Sequence, residues 1–215
     1  MPRKIFWEDP YLTHLDTRVA TVAGDEVTLA ETIFYAFSGG QESDAGTIGG
    51  HEVLNARKDG ADIVYTLPAN HGLNAGDTVA TAIDWERRYR LMRLHFAAEI
   101  VLEIVYRDLG PIEKIGAHIS ADKARIDFAR AAPVTAELPA LLARASAIID
   151  ADLPITSAFS DVEAGRRYWQ VPGFDPVPCG GTHLKRTGEV GPLTLKRRNL
   201  GKGKERIEIY LGSSA

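Results

Sequence analysis

The order of apolar and polar positions changes character once along the chain. Up to about residue 83, short apolar runs alternate with turn signals: Gly24-Asp25, Ser38-Gly39-Gly40, Gly49-Gly50, Asp59-Gly60, Asn70-His71-Gly72 and Asn74-Ala75-Gly76-Asp77. Residues 19–23 and 27–29 flank the Gly24 turn, and residues 63–67 are a further strand candidate. Short strands punctuated by glycine predict a small β-barrel or sandwich. From Trp85 to Leu109 there is no Gly or Pro, and Leu91, Leu94, Ala98, Leu102 and Val105 recur at helical spacing. Asp84 is placed to cap this helix and Gly110-Pro111 to end it. At 1.5 Å per residue it would span about 37 Å.

Beyond the helix, residues 116–119 and 124–128 read as two strands joined by Ser120-Ala121-Asp122-Lys123. Residues 136–149 carry one apolar stripe, with Thr135 as the expected N-cap. Residues 190–200 and 206–211 form a hairpin pattern around Gly201-Lys202-Gly203-Lys204. The pattern predicts an α+β protein: a small β-barrel domain over residues 1–83, then an α+β domain over residues 84–215 built on the long helix. No internal repeat or low-complexity segment is visible.

Composition narrows the class. With 215 residues, 45% hydrophobic and 25% charged, the chain is an ordinary globular one. Its single cysteine, Cys179, cannot form an internal disulfide, which points to a reducing, cytoplasmic setting. The N-terminus has no apolar core of the signal-peptide kind, and no run reaches the roughly 18 apolar residues of a membrane span. The net charge of −4 argues against a general nucleic-acid binder. Between Lys185 and Arg206, however, eight Lys or Arg residues face only Glu189 and Glu205. Lys196, Arg197, Arg198, Lys202 and Lys204 are therefore candidates for phosphate contacts; on charge alone a solvated hairpin is the commoner reading.

The sharpest chemical signals are His95 and Glu99, four apart on the long helix, and Cys179-Gly180-Gly181-Thr182-His183 in a proline-flanked loop. Residues four apart share a helix face. Two glycines let the loop fold tightly enough for Cys179 and His183 to reach one point. Sulfur, two imidazoles and a carboxylate together suit Zn²⁺. Each half alone is weak, since such pairs are more often surface or satisfied core groups. The metalloprotease helix pattern does not apply, because Phe96 follows the first His.

With these motifs in order, the chain resembles the freestanding alanyl-tRNA editing proteins, which are similar to the editing domains of alanyl- and threonyl-tRNA synthetases. Residues 38–48 resemble the family's Gly-rich motif, residues 84–95 the run into its helix motif HxxxH, and residues 179–183 its motif CxxxH. Residues 122–128 and 203–208 resemble two further family segments. The resemblance implies an N-terminal barrel and a zinc-binding editing domain. It also implies hydrolysis, in trans, of the ester on mischarged tRNA for alanine, with serine the usual amino acid and glycine a second. It places His95, Glu99, Cys179 and His183 at the metal, and Gln41, Asp44, His118 and Thr182 at the substrate pocket. The sequence departs from the pattern where Glu99 stands for the second helix His, and where Ser38, Glu42 and Ala45 replace Gly, Pro and Thr. Glu99 is then either a fourth ligand or a base beside a three-ligand metal. Two other classes stay open: a tRNA- or metal-binding module weakened in catalysis, and a metal hydrolase for a small ester or amide. His14, His51 and His71 read as loop or surface residues, and Trp7, Trp85 and Trp169 as core anchors.

Overall fold

The computed structural model describes residues 1–212. The fold is mixed α+β. Contacts divide the chain into two compact units, one of Met1–Ser38 with Glu42–Tyr89, the other of Gly39–Gln41 with the chain from Arg90 onward.

The first unit is a sheet built from β2 (His14–Ala23), β3 (Glu26–Leu29), β5 (Gly46–Ile48), β6 (His51–Glu52), β7 (Asn55–Asp59), β8 (Asp62–Thr66) and β9 (Thr78–Ile83). Their order is β6-β5-β9-β2-β3-β8-β7, every pair antiparallel. A parallel pair, β1 (Arg3–Lys4) with β4 (Glu31–Thr32), lies apart from that ladder. Alternation decides what faces inward: Val27 and Leu29, or Val79, Thr81 and Ile83, are buried while their neighbours are not. The edge strands β6 and β7 do not pair with each other, and β6 is only two residues long. The sequence predicts a small β-barrel or sandwich; among the described residues the hydrogen-bonded ladder runs from β6 to β7 without joining its two edges.

A buried ion pair fixes this unit. The Arg88 and Asp44 side chains are both 0% exposed. Arg88 donates to both Asp44 oxygens, at 2.8 Å from Nε and 2.5 Å from Nη2, and also to the carbonyls of Pro10 and Ile33. The Tyr35 amide donates to Asp44 Oδ2 as well. Asp44, expected at a substrate pocket, therefore has both oxygens committed to holding the first unit together. His71, expected in a loop or at the surface, lies in a loop but is buried: its Nε2 donates to the Gly24 carbonyl and its Nδ1 accepts from the Leu73 amide.

Helix α1 is Trp85–Leu109. The Asp84 carboxylate accepts from the Arg87 amide, and Gly110 follows the last turn at φ 78°. The predicted stripe is buried, and so are Met92, Phe96, Ala97, Ile100, Val101 and Ile104. A helix apolar on most sides is a core helix, and polar groups on it need partners.

In the second unit, β10 (Lys114–Ile119), β11 (Ala124–Ala129), β15 (Leu193–Gly201) and β16 (Lys204–Leu211) form an antiparallel sheet of order β10-β11-β16-β15. Helix α2 (Leu138–Asp150) and a three-stranded sheet of β12 (Thr156–Asp161), β13 (Arg166–Gln170) and β14 (Val177–Pro178) complete it. The strands expected at 116–119, 124–128 and 206–211 run one or two residues longer, and two other boundaries differ for a visible reason. Helix α2 starts after Glu137, so Thr135 is not its cap: Pro139 has no N–H to close a turn onto the Thr135 carbonyl, and the bond onto the cap runs from Leu141 to Glu137, whose carboxylate is taken by Arg130. Strand β15 starts at Leu193 because Val190 closes a 3-10 turn and Gly191-Pro192 interrupts the ladder.

Candidate metal centre

His95 and Glu99 project from one face of α1, a turn apart. The loop carrying Cys179 and His183 follows β14, and the Cys179 amide donates to the Arg167 carbonyl at 2.9 Å, pinning the loop start to β13. His95 Nε2 lies 3.2 Å from Cys179 Sγ, and His183 Nε2 lies 3.3 Å from the same sulfur. All three donor atoms fall within 4.8 Å of one another. Zinc bonds of about 2.3 Å to sulfur and 2.0–2.1 Å to nitrogen in a tetrahedron would separate S and N by about 3.5 Å. The residues fit such an ion with adjustments of a few tenths of an ångström.

Glu99 stands one step outside this group. Its Oε1 is 3.9 Å from both His95 Nε2 and Cys179 Sγ, while its Oε2 accepts a 2.9 Å hydrogen bond from Trp169 Nε1. Ser157 Oγ is 2.8 Å from His183 Nδ1. That contact leaves His183 Nε2 facing the sulfur; a metal bound there requires the tautomer in which Nδ1 carries the proton and donates it to Ser157 Oγ.

The site is also incomplete by its own polar accounting. Among the described residues, His95 Nδ1 and Gln41 Oε1 are buried with no hydrogen-bond partner. Gln41 Nε2 donates to Thr182 Oγ1 at 3.0 Å, and both residues are buried. The Gly-rich segment reaches this unit by a bridge of Gln41 to Ile119, and Gly40 at φ 87° leaves room for the Ala117 carbonyl, which a Cβ would meet at 2.6 Å. Gly181 is tighter still: a Cβ there would lie 2.6 Å from His95 Nε2 and 3.1 Å from Gln41 Oε1.

Electrostatics favour neutral groups before any cation arrives. Burial, then the neighbouring His95 and Arg167, hold His183 well below its ordinary value. Burial also lowers His95, opposed by the Glu99 charge and helped by Lys114. Burial and then Glu99 push the Cys179 thiol up, against the Gly181 amide and Arg167. Neutral imidazoles are ready ligands; the thiol must lose its proton on metal binding.

The structure therefore brings together His95, Cys179 and His183, with Glu99, Gln41 and Thr182 beside them. His118 is half-buried on β10, opposite Arg125. Among the basic residues, Lys196 and Arg198 alternate with Arg197 along β15, so they share the other face of the sheet. Arg197 is bound by Glu205 at 2.5 and 2.7 Å, and Lys202 and Lys204 are exposed at the hairpin tip. No spacing or motif singles out Ser157 or Arg167 in the sequence. Trp169 is the fully buried anchor expected, but its indole N–H also serves Glu99.

Comparison with known proteins agrees with this geometry. Residues 167–208, which include Cys179 and His183, match the family described as threonyl and alanyl tRNA synthetase second additional domain. The chain is 34% identical to the alanyl-tRNA editing protein AlaX-M of Pyrococcus horikoshii over 98% of both chains. It is 32% identical to AlaX-M of Saccharolobus solfataricus, over 96% of this chain and 98% of that one. It is 34% identical to the alanine–tRNA ligase of Ignicoccus hospitalis over 98% of this chain but only 26% of the ligase. This chain belongs to the AlaX-M family of alanyl-tRNA editing proteins.

Proposed function

We propose that the protein is a metal-dependent deacylase that removes serine, and secondarily glycine, from mischarged tRNA for alanine. The observation that carries this reading is the convergence of His95, Cys179 and His183, with a carboxylate one step beyond them. In a chain of this family, that is the donor set of an open zinc site. Residues 1–83 are the domain bearing the Gly-rich motif, with its sheet as the family's barrel, and residues 84–215 are the editing domain. The setting is cytoplasmic.

His95, Cys179 and His183 would hold the ion, which when bound supplies Lewis-acid polarisation of the ester. Glu99 acts beside it. With Oε2 held by Trp169, Oε1, which faces the Cys179 thiol at 3.9 Å, is the oxygen that would take a proton from the attacking water once that thiol has ionised. Keeping Glu99 outside the coordination leaves zinc and one thiolate at net +1; inside, the charge would be cancelled. The ester C–O bond to the terminal ribose breaks, the amino acid leaves as its carboxylate, and the ribose oxygen regains a proton. Gln41, Thr182 and His118 line the amino-acid pocket, while Asp44 serves it only through the fold of the first unit. The unpartnered Gln41 Oε1 would accept from the seryl hydroxyl and be left unpaired by alanine. A site built to bond a hydroxyl can reject its absence by up to about 10⁴–10⁵-fold.

For the tRNA backbone, Lys196, Arg198, Lys202 and Lys204 are the contacts, with Arg197 secondary because Glu205 already holds it. Register aligns Lys196 and Arg198 with Glu208 and Arg206, and those with Arg125 and Asp127, so one sheet face is cation-rich. The test is deacylation of Ser-tRNA and Ala-tRNA for alanine by zinc-loaded protein. Cleavage of the seryl ester with the alanyl ester spared is expected. A seryl ester left intact at neutral pH, where an AlaX-M relative cleaves it, replaces the enzyme by a binding module.

A further inference from the structure

The strands β12 and β13 lie beside the site without contributing a donor to the cluster, yet three of their residues touch it. Ser157 of β12 bonds His183 Nδ1 at 2.8 Å. Arg167 of β13 holds the Cys179 amide through its carbonyl at 2.9 Å, while its guanidinium packs over the Phe159 ring at 5.2 Å. Trp169, two residues on and pointing the same way, bonds Glu99 Oε2 at 2.9 Å. The pairing that brings them together is the β12–β13 register, Ser157 opposite Trp169.

We propose that the β12–β13 hairpin is the positioning element of this centre, with a separate task for each residue. Ser157 orients the His183 ring, with Nε2 turned to the cluster, and so sets metal affinity. Trp169 fixes Glu99 with one oxygen occupied and the other presented, and so sets turnover. Arg167 holds the start of the ligand loop through its main-chain carbonyl. None of the three touches the reacting ester, so all act through another side chain. The two pinned groups, an imidazole and a carboxylate, are those whose orientation is otherwise loosest. His183 sits on a loop, and the Glu99 side chain is 19% exposed against 6% for His95. Removing such supporting bonds costs about 10–100-fold in metal affinity or activity at comparable metal sites.

The task of Trp169 rests on the hydrolase reading above; that of Ser157 does not. The experiment is a zinc-competition titration on the full chain with a chelating indicator, run beside seryl-ester cleavage at saturating zinc. Ser157 is exposed, so Ser157→Ala should fold and melt like wild type. We expect Ser157→Ala to weaken zinc binding about 10–100-fold, Ser157→Thr to restore it, and excess zinc to restore the Ser157→Ala rate. Trp169→Phe should keep zinc affinity within about threefold yet lower kcat about 10–100-fold at unchanged KM. In a Glu99→Gln background Trp169→Phe should cost nothing further. Zinc affinity unchanged in Ser157→Ala overturns the proposal. So does a Trp169→Phe variant that loses zinc as Ser157→Ala does, or whose kcat loss is the same without Glu99, because packing alone would then explain it. A wild type that binds zinc and cleaves no ester ends the hydrolase reading, and the Ser157 comparison still decides the hairpin's role.

Discussion

Each unit holds a buried polar cluster, and the two are built on opposite terms. In the first, Asp44 and Arg88 are sealed from water, and the Asp44 carboxylate meets three N–H donors while Arg88 reaches two further carbonyls. In the second, His95 and His183 meet Cys179 across long contacts to sulfur and each other as rings 5.3 Å apart, and among the described residues His95 Nδ1 and Gln41 Oε1 have no hydrogen-bond partner. An unsatisfied buried polar group costs about 1–3 kcal/mol, and native folds keep few of them. A satisfied cluster is part of the scaffold. An unsatisfied one that persists in a well-packed core marks a place where a ligand binds.

The comparison can be broken most forcefully at the ligands. Cys179→Ala or His183→Ala should cost more in zinc affinity than the about 10–100-fold typical of supporting residues, and should abolish deacylation. Cys179→Ala should not lower the melting temperature of metal-free protein strongly, because its sulfur makes only long contacts; His183→Ala also gives up the 2.8 Å Ser157 bond and should cost somewhat more. If both variants keep zinc, the cluster is not a metal site.

Asp44→Ala should do the reverse. It leaves Arg88 buried and unpaired, at a cost of about 3–5 kcal/mol, which calorimetry would read as a fall in melting temperature of the order of 10 °C. Zinc affinity of the remaining folded protein should be unchanged. A loss of zinc at full stability would move Asp44 from scaffold to site.

Two neighbouring glycines sharpen the second cluster. Gly181→Ala forces a Cβ into His95 Nε2 and Gln41 Oε1, whereas nothing lies within 4 Å of a Cβ at Gly180. Gly181→Ala should weaken zinc binding by about 10–100-fold, and Gly180→Ala should stay within about twofold. Equal effects from the two would show that loop flexibility, not the close approach to His95, is what the glycines supply.

A smaller effect follows from protonation. His183 and His95 are held below their ordinary value, chiefly by burial, so below about pH 6.5 the unfolded chain binds protons that the folded chain refuses. Stability of metal-free protein should be fully present above that pH and fall as the pH drops through it, by up to about 1.4 kcal/mol per unit for each histidine. Urea titrations between pH 5 and 8 should show this slope, and a His183→Gln variant should flatten it. An unchanged slope would mean that His183 is not buried neutral.

The smallest effects belong to the hairpin tip. Lys202→Gln with Lys204→Gln should leave stability and zinc untouched. The pair should reduce the salt dependence of tRNA binding by about 0.7–0.9 in log–log slope for each phosphate no longer neutralised.

Much of this was legible in the residues. The helix bounds followed from Asp84 and Gly110, and the donors from a four-residue spacing on a helix and a glycine loop. What was not legible depends on the packing of distant strands. Asp44 reads as pocket or turn until Arg88, 44 residues away, is seen to consume it. Ser157 carries no pattern that distinguishes it from any exposed serine, and Trp169 announces its burial but not the direction of its N–H. Barrel closure was unreadable for a similar reason: glycine spacing sets the turns, whereas closure depends on which edge strands meet.

The most direct test measures zinc content and ester cleavage on the same sample. Wild type and Glu99→Gln are loaded with zinc, their bound metal is quantified, and single-turnover deacylation of Ser-tRNA for alanine is followed at neutral pH. The account predicts one zinc per chain in both proteins, with cleavage by wild type and a loss of about 10²–10⁴-fold in Glu99→Gln, the range of a general base. Equal cleavage by the two proteins, or cleavage by wild type stripped of zinc, would contradict it.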